Sequence, residues 1–247
     1  MVCQNCGNTH AWPITRPRRR RFLGLAAAGL SLAPFSKPTL AAETTAPPKP
    51  GNVLSPDAAF NELMQGNRRY AQGLTRRHDF QTERAALATG QNPYASILSC
   101  ADSRVATEFA FDSFRGDLFV ARVAGNFVND DNLATFEYGV AVLNVPLLMV
   151  LGHSACGAVS STIKSIDTNT TLPGHLPSLV AALAPAVKVA RGQPGDLLTN
   201  AVKANVRLNV ERLKTATPIL SKAVEEKKLL VVGGYYDFST GVVSLVN

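Results

Sequence analysis

Two short clusters in this chain join thiols to groups that bind metals or steer protons. One is Cys100-Ala101-Asp102-Ser103-Arg104, and the other is Gly152-His153-Ser154-Ala155-Cys156-Gly157. Two thiolates and one imidazole suit zinc, a borderline-soft ion that takes sulfur and nitrogen ligands in a tetrahedron. His153 and Cys156 are spaced as a compact chelating pair. Three protein ligands leave a fourth position for water, as catalytic rather than structural zinc sites do. Asp102 and Arg104 stand beside the ligand set, where a guanidinium can keep a carboxylate ionised and oriented. Either cluster alone is a weak signal, because a cysteine at a strand end often packs as a small hydrophobe. A Cys100–Cys156 disulfide is the competing reading for an exported chain. It leaves His153, Asp102 and Arg104 without a role.

The elements around these clusters must bring them together. Ala95–Cys100, Asp117–Val123 and Pro146–Leu151 are short apolar runs of strand length. Leu229–Tyr235 is a fourth, and Gly241–Val246 a fifth after a turn. The run Pro146–Leu151 is purely apolar, as a strand buried on both faces should be, and Gly152 ends it. A helix starts at Ser55 as N-cap with Pro56 at the first helical position. Its apolar face carries Phe60, Leu63, Met64 and Tyr70, and Gly66 and Asn67 weaken its middle. Further helical patterns cover 131–144, a segment from about Ala155, 177–191, 196–213 and 217–227, with a polar loop over 166–176. Strands alternating with helices predict an α/β fold: a mainly parallel sheet of four strands plus an antiparallel edge strand, flanked by helices. In such sheets sites form beyond the carboxyl ends of the strands. Both clusters follow a strand, so neighbouring strands would let Cys100, His153 and Cys156 converge.

With these residues in place, the chain resembles the β-carbonic anhydrases. C-x-D-S-R followed about fifty residues later by H-S-A-C-G is similar to that family's core signature. Arg122-x-Ala124-Gly125-Asn126 and the late stretch Gly233-Gly234-Tyr235-Tyr236-Asp237 extend the likeness over roughly residues 55–247. The resemblance implies zinc held by Cys100, His153 and Cys156, and zinc-bound hydroxide that converts CO2 to bicarbonate and a proton, reversibly. It implies that Asp102 accepts the proton of that hydroxide, gripped by Arg104, and that in some states the aspartate swings onto the zinc. Gln91 looks like the substrate-side glutamine of the plant-type enzymes, and the amide of Gly157 is a second donor. Phe119, Ala124 and Tyr138 fall where those enzymes line the pocket. In the family the glutamine and aromatics reach the metal across a dimer interface, so a homodimer or higher homo-oligomer is expected. His78 and His175 are candidate proton shuttles. Ile97 stands where some bacterial relatives carry a tryptophan of an inhibitory bicarbonate site, which favours the plant-type, open arrangement.

Composition narrows the alternatives. The formal charge of +7 comes mostly from residues 1–42, whose basic residues are Arg16, Arg18, Arg19, Arg20, Arg21 and Lys37 and which hold no acidic one. Without them 19 basic residues face 18 acidic ones, so a nucleic-acid role gets no support from charge. The basic stretch precedes an apolar run from Phe22 to about Phe35, too short to span a bilayer. It reads as an export signal, with Arg19-Arg20-Arg21-Phe22-Leu23 fitting the twin-arginine pattern and small residues at Thr39–Ala42 for cleavage. The expected location is periplasmic or otherwise exported, with no stable membrane span in the mature form. Cys3 and Cys6 would be removed with the signal. Residues 43–54 are a Pro-rich linker ahead of the domain at 55–247. Other functions for the same residues are CS2 or COS hydrolysis, a non-catalytic zinc-binding relative that should have lost a key side chain, and a thiol-disulfide protein.

Overall fold

The computed structural model describes residues 54–247 apart from His78 and Thr89. The export signal, the Cys3/Cys6 pair, nearly all of the linker and the candidate shuttle His78 lie outside the described residues. The chain opens with helix α1 (Pro56–Ala71), where Ser55 Oγ accepts the Ala58 N–H at 3.2 Å. There follow α2 (Phe80–Leu87), β1 (Ala95–Ser99), α3 (Thr107–Ala110), β2 (Leu118–Arg122), α4 (Asp130–Ala141) and β3 (Leu147–His153). Then come α5 (Gly157–Asp167), α6 (Leu176–Ala190), α7 (Leu197–Lys214), α8 (Ile219–Glu225), β4 (Leu230–Tyr236) and β5 (Val243–Leu245).

The five strands form one sheet in the order β2-β1-β3-β4-β5. The first four are parallel, and β5 returns antiparallel on β4. This is the architecture expected from the alternation of strand and helix patterns. Alternate residues feed two cores. Ile97, Leu147, Met149 and Leu151 meet Ala59 and Leu63 of α1. Leu98, Leu148 and Val150 meet Phe136 of α4, Val206 and Val210 of α7 and Leu220 of α8. All seven residues of β3 are buried, which is why its sequence carries no polar alternation until His153.

The structure corrects three expectations. Gly152 does not end β3: the ladder continues through Gly152 opposite Tyr235 and His153 opposite Tyr236. The glycine is there because α7 presses close, and a Cβ would stand 2.8 Å from Val202 and Val206 side-chain carbons. Helices α2 and α3 are additional, α3 being a single turn with no periodic pattern to read. Gly66 and Asn67 do not weaken α1 but seat it. Asn67 is buried and donates to the carbonyls of Ala110 and Gly241, each at 2.9 Å, while its Oδ1 accepts the Val243 N–H at 2.8 Å. One side chain thereby ties α1 to α3 and to the β4–β5 turn.

Gly66 lets the helix lie against the backbone after α3, since a Cβ there would fall 1.8 Å from the Phe111 carbonyl oxygen. Backbone cannot rotate aside, so Gly66→Ala should cost about 3 kcal/mol or more. In a domain of this size that lowers Tm by roughly 6–12 °C. Gly90→Ala is the control, because a Cβ at Gly90 meets nothing within 4 Å. Thermal melts of the two variants check the expectation, and equal Tm values would refute it.

Candidate metal centre

β1 and β3 are hydrogen-bonded neighbours, so their carboxyl ends lie side by side. Cys100 follows β1 directly and His153 is the last residue of β3. The chain then turns through Ala155, a non-glycine residue in the left-handed region at φ 52°, and Cys156 becomes the N-cap of α5. The outcome is convergence: Cys100, His153 and Cys156 are buried, and their ligand atoms lie within 4.8 Å of one another. Both thiols are free.

The donor set fits a soft divalent metal. His153 Nδ1 lies 2.9 Å from the Ser154 carbonyl oxygen, and only an N–H can pair with a carbonyl. The Nδ1 proton fixes the tautomer and leaves a bare lone pair on Nε2. That Nε2 is buried without a hydrogen-bond partner. A buried acceptor left so costs about 1–3 kcal/mol, a debt a metal ion removes. The sulfurs are also prepared. Cys100 Sγ accepts the Gly125 N–H at 3.3 Å. The Cys100 thiol is drawn down, first by its hydrogen bond with Cys156, then against burial by the amides of Gly125 and Asp102. Cys156 is pushed up, first by its bond to Cys100 and then by burial, although the first amides of α5 oppose this. Two buried thiols this close share one proton until a cation supplies the second counter-charge.

Asp102 does not belong to this ligand group. Its two oxygens are taken by Arg104 in a fork, Nε to Oδ1 at 2.9 Å and Nη2 to Oδ2 at 2.7 Å, with the Arg104 N–H on Oδ1 at 3.0 Å. Arg104 thereby holds the carboxyl far below the usual carboxylate range. The carboxylate is turned to arginine. Ile97 is fully buried core.

Several supporting roles escaped sequence reading. Arg122, at the end of β2, donates to the carbonyls of Cys100 at 2.9 Å and Asp102 at 2.7 Å, bracing the loop between them. Asn205 of α7 donates to the Gly125 carbonyl at 2.8 Å and Asn209 accepts the Val128 N–H at 2.7 Å. These buried amides place the segment that presents its N–H to Cys100. Phe238, in the β4–β5 turn, packs its ring against His153. Only Arg122 lay in a motif that sequence could flag.

The pocket residues divide. Ala124 follows β2 beside Cys100, and Gly157 opens α5 with empty space at its Cβ position. Phe119 and Tyr138 pair with each other, ring centroids 6.1 Å apart, where α4 meets β2. Phe119 is in register with Ser96, four residues before Cys100, and Gln91 precedes β1 altogether. At about 3.3 Å per residue, that register sets the Phe119 backbone roughly 13 Å along the sheet from Cys100. The Phe119–Tyr138 pair thus lies toward the amino ends of β1 and β2, away from the carboxyl ends that carry the metal group. Gln91 and Tyr138 are exposed, as is His175 ahead of α6.

Comparison with known proteins agrees with this geometry. A family model described as carbonic anhydrase matches residues 95–243. Carbonic anhydrase 2 of Mycobacterium tuberculosis is 38% identical over 189 residues, covering 76% of this chain and 91% of that protein. A Coccomyxa β-carbonic anhydrase solved in complex with acetazolamide is 26% identical, with a TM-score of 0.59, covering 76% of this chain and 86% of that one. One of two tetrameric β-carbonic anhydrases from the filamentous ascomycete Sordaria macrospora has the same fold at a TM-score of 0.61 and 24% identity, over 76% of this chain and 96% of that one.

Proposed function

Because this chain belongs to the β-class carbonic anhydrases, a family of lyases, we propose that it interconverts CO2 and bicarbonate with zinc held by Cys100, His153 and Cys156. The observation that carries the proposal is the buried ligand triangle with its bare His153 Nε2. Zinc in such a site supplies a Lewis acid that makes a water-derived nucleophile available near neutral pH. The remaining work falls to the chain. Asp102, ionised and purely an acceptor, takes the single O–H of the nucleophile and leaves its lone pair free for CO2. Arg104 keeps that acceptor pointed. The Gly157 N–H, at the positive end of α5, faces charge developing on a substrate oxygen.

Gln91, Phe119 and Tyr138 complete the pocket from a second copy of the chain. The exposure of Gln91 and Tyr138, and the distance of Phe119 along the sheet from its own cysteine, support a homodimer or higher assembly. Stopped-flow CO2 hydration beside metal analysis tests the proposal. Expected are one zinc per chain and turnover that disappears on chelation and returns with zinc. Zinc-loaded protein that leaves CO2 unhydrated would reject it.

Export is proposed on the sequence alone. No helix among the described residues is long and apolar enough to cross a membrane. The twin-arginine route carries folded cargo, so zinc could be loaded before an oxidising compartment reached the two thiols. Replacing Arg19 and Arg20 by Lys, in a chain where Arg18 and Arg21 are Gln so that no shifted pair survives, should leave the precursor in the cytoplasm. The Arg18→Gln/Arg21→Gln chain is the control. Unimpaired export would reject this route and leave the enzyme assignment untouched.

A further inference from the structure

One aromatic ring lies against both halves of the site. The Arg104 guanidinium stands over Phe238, its Cζ 4.2 Å from the ring centroid. The His153 imidazole packs on the same ring at 5.1 Å between centroids, tilted by 56°. The backbone of the residue reaches the same place. Its N–H donates to Ser154 Oγ at 3.0 Å, and the Ser154 carbonyl accepts the His153 Nδ1 proton. The turn that presents the ring is itself held. Asp237 Oδ1 accepts from the Ser239 N–H at 2.7 Å, its carbonyl accepts the Gly241 N–H at 2.8 Å, and Asn67 grips Gly241 and Val243 from α1. Tyr236 meets the ring edge-on at 5.4 Å.

We propose that Phe238 is a positioning residue that couples the metal-binding imidazole to the Asp102–Arg104 pair. Arg104 is half exposed, so water competes for each of its hydrogen bonds to Asp102. A planar guanidinium over an aromatic face is attracted to it and loses the freedom to turn away. The ring therefore sets the plane from which the fork reaches Asp102. Its contact with His153 restricts rotation of the imidazole whose Nε2 faces the metal position. An aliphatic side chain of similar bulk fills the space but offers no π-face. The kinetic part of this inference rests on the carbonic anhydrase reading, and the structural part does not.

The test compares zinc-loaded wild type with Phe238→Leu and Phe238→Tyr. Phe238→Leu should keep its zinc, lower kcat for CO2 hydration about tenfold and leave KM nearly unchanged. In nitrogen-15 NMR the Arg104 Nε–H should exchange with water about tenfold faster, because the pair to Asp102 opens more often. Phe238→Tyr, which keeps the face, should restore both. If Phe238→Leu fails to fold, Phe238→Met carries the same expectations. Unchanged exchange in the folded aliphatic variant, or a loss that Phe238→Tyr does not restore, overturns the inference. A wild type that leaves CO2 unhydrated but whose Arg104 signal responds to Phe238→Leu would sink the enzyme reading and support the coupling.

Discussion

Cys156→Ser and Cys100→Ser are each expected to lose zinc and CO2 hydration together, with turnover down on the order of 10³-fold or more. Even a residue that merely supports a metal ligand is worth about 10–100-fold in affinity or activity, and a ligand is worth more. A serine hydroxyl keeps its proton at neutral pH and is a harder donor than thiolate, so it does not replace the lost charge. The same site makes metal binding pH-dependent. Without metal, Cys100 is drawn down by Cys156 while Cys156 is pushed up by Cys100 and by burial. Binding must therefore expel the proton that Cys156 retains, so zinc affinity should fall as pH falls. Chelation should also lower stability, because the bare His153 Nε2 regains its desolvation cost. With free zinc about a thousand-fold above Kd, the bound ion contributes about 4 kcal/mol, or roughly 8–16 °C in Tm. Metal content, stopped-flow rates and melts with and without chelator check these together. A serine variant that keeps full zinc and wild-type rate would remove that cysteine from the ligand set.

The ligand triangle was legible in sequence because each ligand sits at or just past the end of an unmistakable apolar strand. Ala95–Ser99 and Leu147–His153 carry enough periodic information to place Cys100 and His153 at one sheet edge, whatever the helices do. Asp102 and Arg104 are two residues apart, so their pairing is local. Phe238 was not legible for the opposite reason. It meets His153 only because β4 extends in register to Tyr236 and the following turn folds back over it. A single phenylalanine in a turn carries no sign of that. Asn205 and Asn209 likewise act on a backbone carbonyl and a backbone amide, which leave no trace in side-chain chemistry. Gly66 and Asn67 were misread because helix propensity describes an isolated helix, whereas a close approach and three tertiary hydrogen bonds decide these positions. The separation of Phe119 from Cys100 follows from strand register, which spacing along the chain does not disclose.

Asp102→Asn should retain zinc and lose about 10²–10³-fold in kcat/KM, the usual cost of removing a preorganised polar group at developing charge. The amide has nearly the shape of the carboxylate but turns an N–H donor toward the proton it must accept, and it releases Arg104 from its bidentate partner. Arg104→Ala should reach a similar loss by another path. The carboxylate remains but is free to rotate, and it is no longer held off the metal position. Protonation does not explain that loss. Arg104 draws the Asp102 carboxyl down, and without it the group returns toward its ordinary value near 3.9, still ionised at neutral pH. Raising the pH should therefore not rescue Arg104→Ala beyond what wild type itself gains. Arg104→Lys should recover little, because an ammonium offers no planar fork to two carboxylate oxygens. The double variant Asp102→Asn/Arg104→Ala should be no worse than about either single one, since the two residues act as a unit. Stopped-flow hydration across a pH series, with zinc content measured on the same samples, separates these outcomes. Near-wild-type kinetics at full zinc occupancy in Asp102→Asn would take the aspartate out of the reaction. Fully additive losses in the double variant would mean that Arg104 acts on something other than Asp102.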